Sequence, residues 1–600
     1  MEQNILNNYE QNISQTQTEA DRYKALANKY SLLRLVIFAA IILITGIAIS
    51  WDDFTFLILS GIILVLAFLW LVSKQSEFEK QKLYFSNLVK VYQNEFDSIL
   101  SISNLYDDGS RFNNDKHFYS ADLDIFGSAS LYKLTNRAAT SLGKLKLASW
   151  FDKPSKKDAI LLRQAAIAEI ANKEAWKPET QALLLFANQE KQDQLPNLFK
   201  YLNIPLNLPG EKWLDLYAKI APYLLITLIM GGYFVPIISS LSVLVGIINI
   251  GLVSSKAMYI KKADLIAGKI GDVLNNYALV FQKIESEQWD SSYNKNLVDF
   301  LKNDDTSNKI KSLSVLINKL NYHLNIIIGF ILNLFFLWDI RQIIAIENWK
   351  RNNQKSLETA FDVIAEFEAL MSLASLKINY PDWCTPEIIV DEDYTLLATG
   401  LAHPLIGRAK RVKNDFELKN TRKIDIITGS NMAGKSTFLR TIGINTVLAL
   451  CGAPVCAEEM KVSVMTIISY MRIKDNLNES TSTFKAELDR LQMLLNEVTT
   501  NKKVFFLIDE MLRGTNSVDK YLGSKAVIKN LIEKKGVGMV ATHDLQIAEL
   551  EHNYPAYIRN FYFDIQIKNG EMLFDYKIKP GACKTFNASL LLKQIGIEVE

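Results

Sequence analysis

Gly429-Ser430-Asn431-Met432-Ala433-Gly434-Lys435-Ser436-Thr437 fits G-x-x-x-x-G-K-[ST] in full. The mostly apolar run Ile424 to Thr428 before it reads as a strand, and Phe438 to Leu450 after it reads as a helix. Strand, glycine loop and helix together are the context that gives the pattern a physical meaning. Glycines let the backbone curl so that its N–H groups converge on phosphate oxygens, and the helix N-terminus adds partial positive charge. In such a loop Lys435 reaches the β- and γ-phosphates of a nucleotide, and the Ser436 hydroxyl ligates Mg²⁺.

Working outward, Val504 to Ile508 is an apolar run that ends in Asp509-Glu510, a Walker B pattern. Asp509 is expected to support Mg²⁺, and Glu510 to orient and deprotonate the attacking water. A further strand, Gly538 to Thr542, ends in His543, which is placed to sense the γ-phosphate. Between these lies Glu479-Ser480-Thr481-Ser482-Thr483-Phe484-Lys485-Ala486-Glu487, ahead of the amphipathic spacing Leu488, Leu491, Leu494, Leu495. Hydroxyls before a helix make an N-cap in any protein, so this stretch has a structural reading as well. Arg513 to Asp519 is, by composition, a polar loop.

Six hundred residues exceed one ordinary core, so several domains are expected. A net charge of +2 gives no global sign of a nucleic-acid binder. Cys384, Cys451, Cys456 and Cys583 show no zinc-ligand spacing and no disulfide framework, and read as reduced thiols.

Toward the N-terminus, residues 1–31 are polar and read as a helix or loose tail. Leu35 to Ile49 and Phe54 to Val72 are almost wholly apolar and are separated by Trp51, Asp52 and Asp53. Each approaches the ~20 residues that cross a bilayer, so 32–73 reads as a transmembrane hairpin. Arg34 and Lys74 flank it on one side, which the positive-inside rule assigns to the cytoplasm. Segment 74–212 reads as helical, with Pro196, Pro205 and Pro209 marking a linker near its end. Ile220 to Ser255 carries no charge. As one helix it would run ~54 Å against ~30 Å of hydrocarbon, and Gly231-Gly232 and Pro236 interrupt it, so 220–255 reads as a second hairpin. Segment 256–385 reads as long helices. Its apolar run Leu324 to Trp338 is short and holds Asn325 and Asn333, which reads as a buried core helix. A fifth crossing there would put the nucleotide site outside the cell. The nucleotide-binding domain is expected over 390–600.

Together these motifs resemble the ATPase domain of the MutS family of DNA mismatch-repair proteins. The resemblance rests on the phosphate loop with Asn431-Met432, then Ser482-Thr483-Phe484 with Glu487, Asp509-Glu510, Arg513-Gly514-Thr515, Asp519 and Thr542-His543. His403-Pro404-Leu405 resembles the opening of that domain, and Phe574 to Lys577 with Pro580-Gly581 its closing strand and turn. A weaker likeness covers Leu134 to Phe151. The resemblance implies an α/β, ABC-type P-loop ATPase domain joined to an all-α lever and core. It also implies ATP and Mg²⁺ as cofactors and a homodimer in which Ser482 contacts the γ-phosphate held by the partner subunit. Asn431 would face the phosphates, and Phe416 and Tyr562 stand near the family's adenine-stacking residues. Ser430, Ala433 and Leu512 depart from the family pattern, where a proline and two glycines are usual.

Larger departures lie elsewhere. No Phe-x-Glu occurs in the chain, so the family's mismatch-probing wedge is missing. The space before the helical core cannot hold the family's two N-terminal domains, and the second hairpin falls where lever arms would carry a DNA clamp. Two readings follow. One is a cell-membrane, multi-pass, MutS-like ATPase whose cytoplasmic domain couples ATP hydrolysis to mismatched, damaged or branched DNA. The other is an ABC-like mechanochemical ATPase acting on a membrane or protein partner without DNA. An ordinary mismatch recogniser is disfavoured by the missing wedge, and a transporter by the lack of ionisable residues in the apolar segments.

Overall fold

A computed structural model describes residues 2–51, 54–189, 195–204, 208–267, 270–389, 393–418, 423–430, 433–471, 483–501, 503–568 and 571–583. The chain opens with two very long antiparallel helices, α1 (Glu2–Ser50) and α2 (Phe54–Ile99). Residues 2–31, expected as a separate polar segment, run without a break into the apolar half of α1. Aromatic rungs fix the register of the pair. Tyr23 stacks on Phe85 with centroids 5.4 Å apart, and Tyr30 meets Phe78 edge-on at 5.0 Å. Toward the turn, Leu35, Ile42, Leu43, Ile58, Ile63 and Leu66 are all exposed. Water-facing helix pairs rarely carry so contiguous an apolar surface.

The helical body follows as α3 (Leu131–Thr135), α4 (Ser141–Asp152), α5 (Lys157–Ala171), α6 (Trp176–Gln189) and α7 (Leu195–Asn203). Then come α8 (Glu211–Gly232) and α9 (Pro236–Ser255), reversed through Tyr233 to Val235, and α10 (Ala257–Ala267), α11 (Ile270–Ser286), α12 (Ser292–Asn303) and α13 (Thr306–Leu320). The body closes with α14 (Ile326–Phe336) and the 42-residue α15 (Trp338–Asn379). Helix α15 is the spine: Phe361 alone gathers the rings of Phe199, Tyr277 and Phe281. By length and composition α1, α2, α8 and α9 could each cross a membrane.

The expectation of a buried core helix at Leu324 to Trp338 is wrong. Helix α14 leaves Ile326, Ile327, Phe330 and Ile331 exposed and lies against α8 and α9. Its shortness was a sound reason to doubt a full crossing, but shortness says nothing about burial.

A fully buried charge cluster ties the first hairpin to this body. Glu95 of α2 accepts from Arg137 Nε (2.9 Å), Lys177 Nζ (3.1 Å) and Asn379 Nδ2 (2.7 Å), while Tyr9 of α1 donates to Asn379 Oδ1 (2.8 Å). Burial alone would raise the Glu95 carboxyl, but the two cations overcome it and hold it well below the usual carboxylate range.

After α15 come β1 (Glu387–Ile389), β2 (Leu396–Leu401), β3 (Asn414–Leu418), β4 (Ile424–Thr428), helix α16 (Lys435–Cys451), β5 (Glu459–Ser463) and β6 (Thr466–Tyr470). Helix α17 (Thr483–Thr500), β7 (Val504–Asp509), α18 (Ser517–Glu533), β8 (Val537–Thr542), β9 (Ile558–Lys568) and β10 (Glu571–Pro580) follow. They make a four-stranded sheet, β1-β5-β2-β3, and a six-stranded sheet, β10-β9-β4-β8-β7-β6. In the larger sheet β9, β4, β8, β7 and β6 run parallel and only β10 is antiparallel. Both faces are covered, which is why β4, β7 and β8 are buried throughout. Phe505 and Leu507 face the cluster that includes α16, and Phe506 and Ile508 face the one that includes α17 and α18. Helix α16 is therefore clamped between the sheet and the helical body, where Cys451 Sγ meets Trp150 O at 2.8 Å.

Candidate functional site

The site forms at the C-terminal ends of β4, β7 and β8, where open parallel sheets place their ligands. β4 enters the loop at Gly429 (φ 137°) and the loop enters α16 at Gly434 (φ 107°). Both positions need glycine. A Cβ at Gly429 would stand 2.7 Å from Phe563 O, and L side chains rarely adopt either angle. Ala433 is buried, Ser430 is half-buried and Thr437 is exposed at the first turn of α16. Asn431 and Met432 lie outside the described residues.

Lys435 is buried and its Nζ donates to the carbonyls of Gly429 (2.7 Å) and Ser430 (2.9 Å). Burial lowers its pKa, against the opposing pull of Glu510 and Asp509. Asp509, at the end of β7, is raised by burial, with the Ser436 hydroxyl and the Arg513 and Lys435 cations working against it. Its Oδ1 is buried and has no hydrogen-bond partner among the described residues. A buried carboxylate oxygen left unpaired beside a hydroxyl is the donor set a hard divalent cation takes, so Ser436 and Asp509 fit Mg²⁺.

Glu510 sits in the left-handed region (φ 55°), as does Leu512 (φ 57°). These angles explain why glycine suits position 512. Non-glycine residues there cost roughly 1–2 kcal/mol each, and such strain gathers at functional turns. The Glu510 carboxyl is lowered to about 2, chiefly by a hydrogen bond from His543, whose Nδ1 stands 3.2 Å from Oε1. His543 is half-exposed at the end of β8, and Lys520 Nζ of α18 lies 3.4 Å from its Nε2. Loop, acid pair and imidazole thus converge.

Other expected residues fall differently. Phe416 is a core residue, packed against Phe438 (5.9 Å) and Phe561 (6.4 Å), and offers no open ring face. Tyr562 is half-buried on β9, in register with Thr428. Ser482 lies outside the described residues.

Two residues emerge that the sequence reading did not assign a role. Arg513 spans both acids, with Nε 3.5 Å from Glu510 Oε2 and Nη2 3.7 Å from Asp509 Oδ2. Its backbone N–H donates to Glu487 Oε1 (3.3 Å), which ties α17 to the turn after β7. Tyr576 projects from a register shift in β10 (φ 52°), stacks on Phe574 and is half-exposed beside Gly434. No spacing rule would have singled it out, because the irregularity in β10 puts its ring at the loop.

Residues 425–592 match the family model described as MutS domain V. The chain is 31% identical over 281 residues to the DNA mismatch repair protein MutS of Aquifex pyrophilus, covering 46% of this chain and 30% of that one. It is 33% identical over 222 residues to the protein of the same name from Ehrlichia chaffeensis (36% and 27% covered), and 31% identical over 238 residues to that of Thermotoga maritima (39% and 29%). The chain therefore matches under a third of each relative's length. The Aquifex match is longer than the stretch from 425 to the C-terminus, so the likeness reaches back into the segments before β4. The domain built around this site is therefore similar to MutS domain V over residues 425–592.

Proposed function

We propose that this chain is a membrane-anchored, MutS-like ATPase that works as a homodimer and couples ATP hydrolysis to DNA. The convergence of Lys435, Asp509, Glu510 and His543 at the ends of β4, β8 and β7 carries the proposal. Lys435 exchanges its two bonds to the loop carbonyls for phosphate oxygens of ATP, and the backbone between Gly429 and Thr437 wraps the same group. Glu510, held ionised, takes the proton of the attacking water. His543 orients that carboxylate and faces the developing charge. Ser436 and Asp509 hold Mg²⁺, which when bound offsets phosphate charge. Tyr576 offers the adenine an aromatic face at the lip of the loop.

Dimerisation is supported by Phe484, Leu488, Val518 and Leu522, exposed apolar residues of α17 and α18, with Phe484 set against Gly514. In the dimer, Ser482, which precedes α17 in the sequence, is the residue assigned to the partner subunit's nucleotide. The DNA link follows from the relatives, which are named for DNA mismatch repair. Anchoring assigns hairpins 32–73 and 220–255 to the cell membrane, segments 74–212 and 256–385 to a cytoplasmic helical core, and 390–600 to the ATPase domain. Bilayer lipid would cover the exposed apolar surfaces of α1, α2, α8 and α9.

The test is the ATPase rate of the detergent-purified protein with duplex, mismatched and branched DNA at low and high salt. Salt-sensitive stimulation is expected. A rate indifferent to every DNA overturns the DNA link, and no ATP turnover at all overturns the whole reading.

A further inference from the structure

Helix α14 is apolar apart from Asn333, Ile-Ile-Ile-Gly-Phe-Ile-Leu-Asn-Leu-Phe-Phe, and is left largely uncovered: Ile326 is 85% and Ile327 73% exposed. Its eleven residues span ~16 Å, about half the ~30 Å of bilayer hydrocarbon. The segments before and after it meet. Trp338 Nε1, at the start of α15, donates to Lys319 O of α13 at 2.7 Å, and the Trp338 ring stacks on Tyr322 at 6.1 Å. Between them the chain bends by 110° and returns, with His323 backbone packed directly on Gly329, where any Cβ would come within 2.8 Å.

The segment is docked on α8 and α9. Asn249 is fully buried: its Nδ2 donates to Leu334 O (2.8 Å) and its Oδ1 accepts from Tyr217 (2.8 Å). Gly246 admits the Leu334 side chain. Below this point Leu337 joins Leu214 and Ala218 near the start of α8, and above it Phe330 lines a groove with Ile229 and Val243. The N-terminus of α14 therefore points toward the turn of the hairpin. Its polar ends are paired internally. Asn325 caps Ile328 N, and Asn333 and Asp339 exchange hydrogen bonds of 2.9 and 3.0 Å. Irregular backbone at membrane depth is tolerated under that condition.

We propose that residues 321–336 form a re-entrant element that dips into a single leaflet beside α8 and α9 and leaves on the side it entered, with the lipid acyl chains as its partner. The proposal rests on the membrane reading of the second hairpin. Its consequence is that α15, the spine of the helical body, starts at the membrane surface.

The test uses the full-length protein in liposomes, in a Cys384→Ser background, with a fluorophore on a single introduced cysteine and chain-brominated lipids as quenchers. Ile327→Cys is expected to be quenched to the same extent as Leu244→Cys on α9. Quenching of Leu244→Cys without Ile327→Cys overturns the re-entrant element and leaves the hairpin standing, whereas absence of both overturns the membrane reading itself. Lys319→Cys and Arg341→Cys, exposed on either side of the element, are expected to react with an impermeant maleimide from the same face of the vesicle. Reaction from opposite faces would make the segment a crossing and overturn the proposal.

Discussion

His543 Nδ1 lies 3.2 Å from Glu510 Oε1, and that hydrogen bond is the main cause holding the Glu510 carboxyl at about 2. A carboxyl depressed in the folded protein is ionised at every higher pH, and its stabilising effect fades only as pH falls from the ordinary carboxylate range toward that value. Under the proposed ATPase activity, acid inactivation of the native protein therefore does not come from Glu510 above about pH 3. In His543→Ala the carboxyl returns toward the ordinary value, and the acid limb of the kcat/KM profile is expected to move to higher pH. An acid limb that stays in place in the variant counts against the pairing.

Glu510→Gln keeps size and most packing but removes the base. Nucleotide binding is expected to persist while turnover falls by about 10²–10⁴. Equilibrium binding of a fluorescent ATP analogue and single-turnover hydrolysis separate the two. Near-normal turnover refutes the role.

Lys435→Ala removes a buried ammonium already bonded to two loop carbonyls. Charge-assisted hydrogen bonds contribute roughly 1.5–3 kcal/mol, so ATP affinity should drop by about 10- to 100-fold. Titration calorimetry reads this directly. Unchanged affinity would mean that the loop binds something other than a polyphosphate.

Tyr576→Ala tests the aromatic face beside Gly434. Ring stacking is worth roughly 0.5–1.5 kcal/mol, so the KM for ATP should rise by about 2- to 10-fold with kcat little changed, and Tyr576→Phe should restore it. Loss of kcat at constant KM would point to a different role for the ring.

Glu95→Gln strands two buried cations, Arg137 and Lys177. Breaking such a cluster costs about 3–5 kcal/mol, seen as a lowered Tm at neutral pH. Because the Glu95 carboxyl is depressed on folding, its contribution is complete above the ordinary carboxylate pKa and is lost below it, so the gap between native and variant narrows in acid.

The chemistry of the site was legible because it is local. A glycine loop after a strand, an acid pair ending one and a histidine ending another each announce themselves within nine residues. Arg513 and Tyr576 were not legible as site residues. One reaches the acids through a turn with left-handed angles at Glu510 and Leu512, and the other through a register shift in β10. Phe416 shows the opposite error, an aromatic near the right place whose ring is spent on the core. The apolar segments were found by hydropathy. Their partners were not, because an apolar run looks alike whether protein or another medium covers it. Hence α14 reads as core, and of the two readings of the polar start of α1, helix or loose tail, the structure shows the helix, pinned by Tyr9.

The cluster around Glu95 also decides how the protein could be taken apart. The first hairpin looks like an anchor that a single cut could remove. Its final turns, however, supply the only carboxylate among the described residues that pairs with Arg137 and Lys177, and its first turns supply the hydroxyl of Tyr9. A water-soluble form therefore calls for excision of the apolar halves and rejoining of the polar stems, because truncation at residue 74 or 100 discards part of the foundation along with the mast.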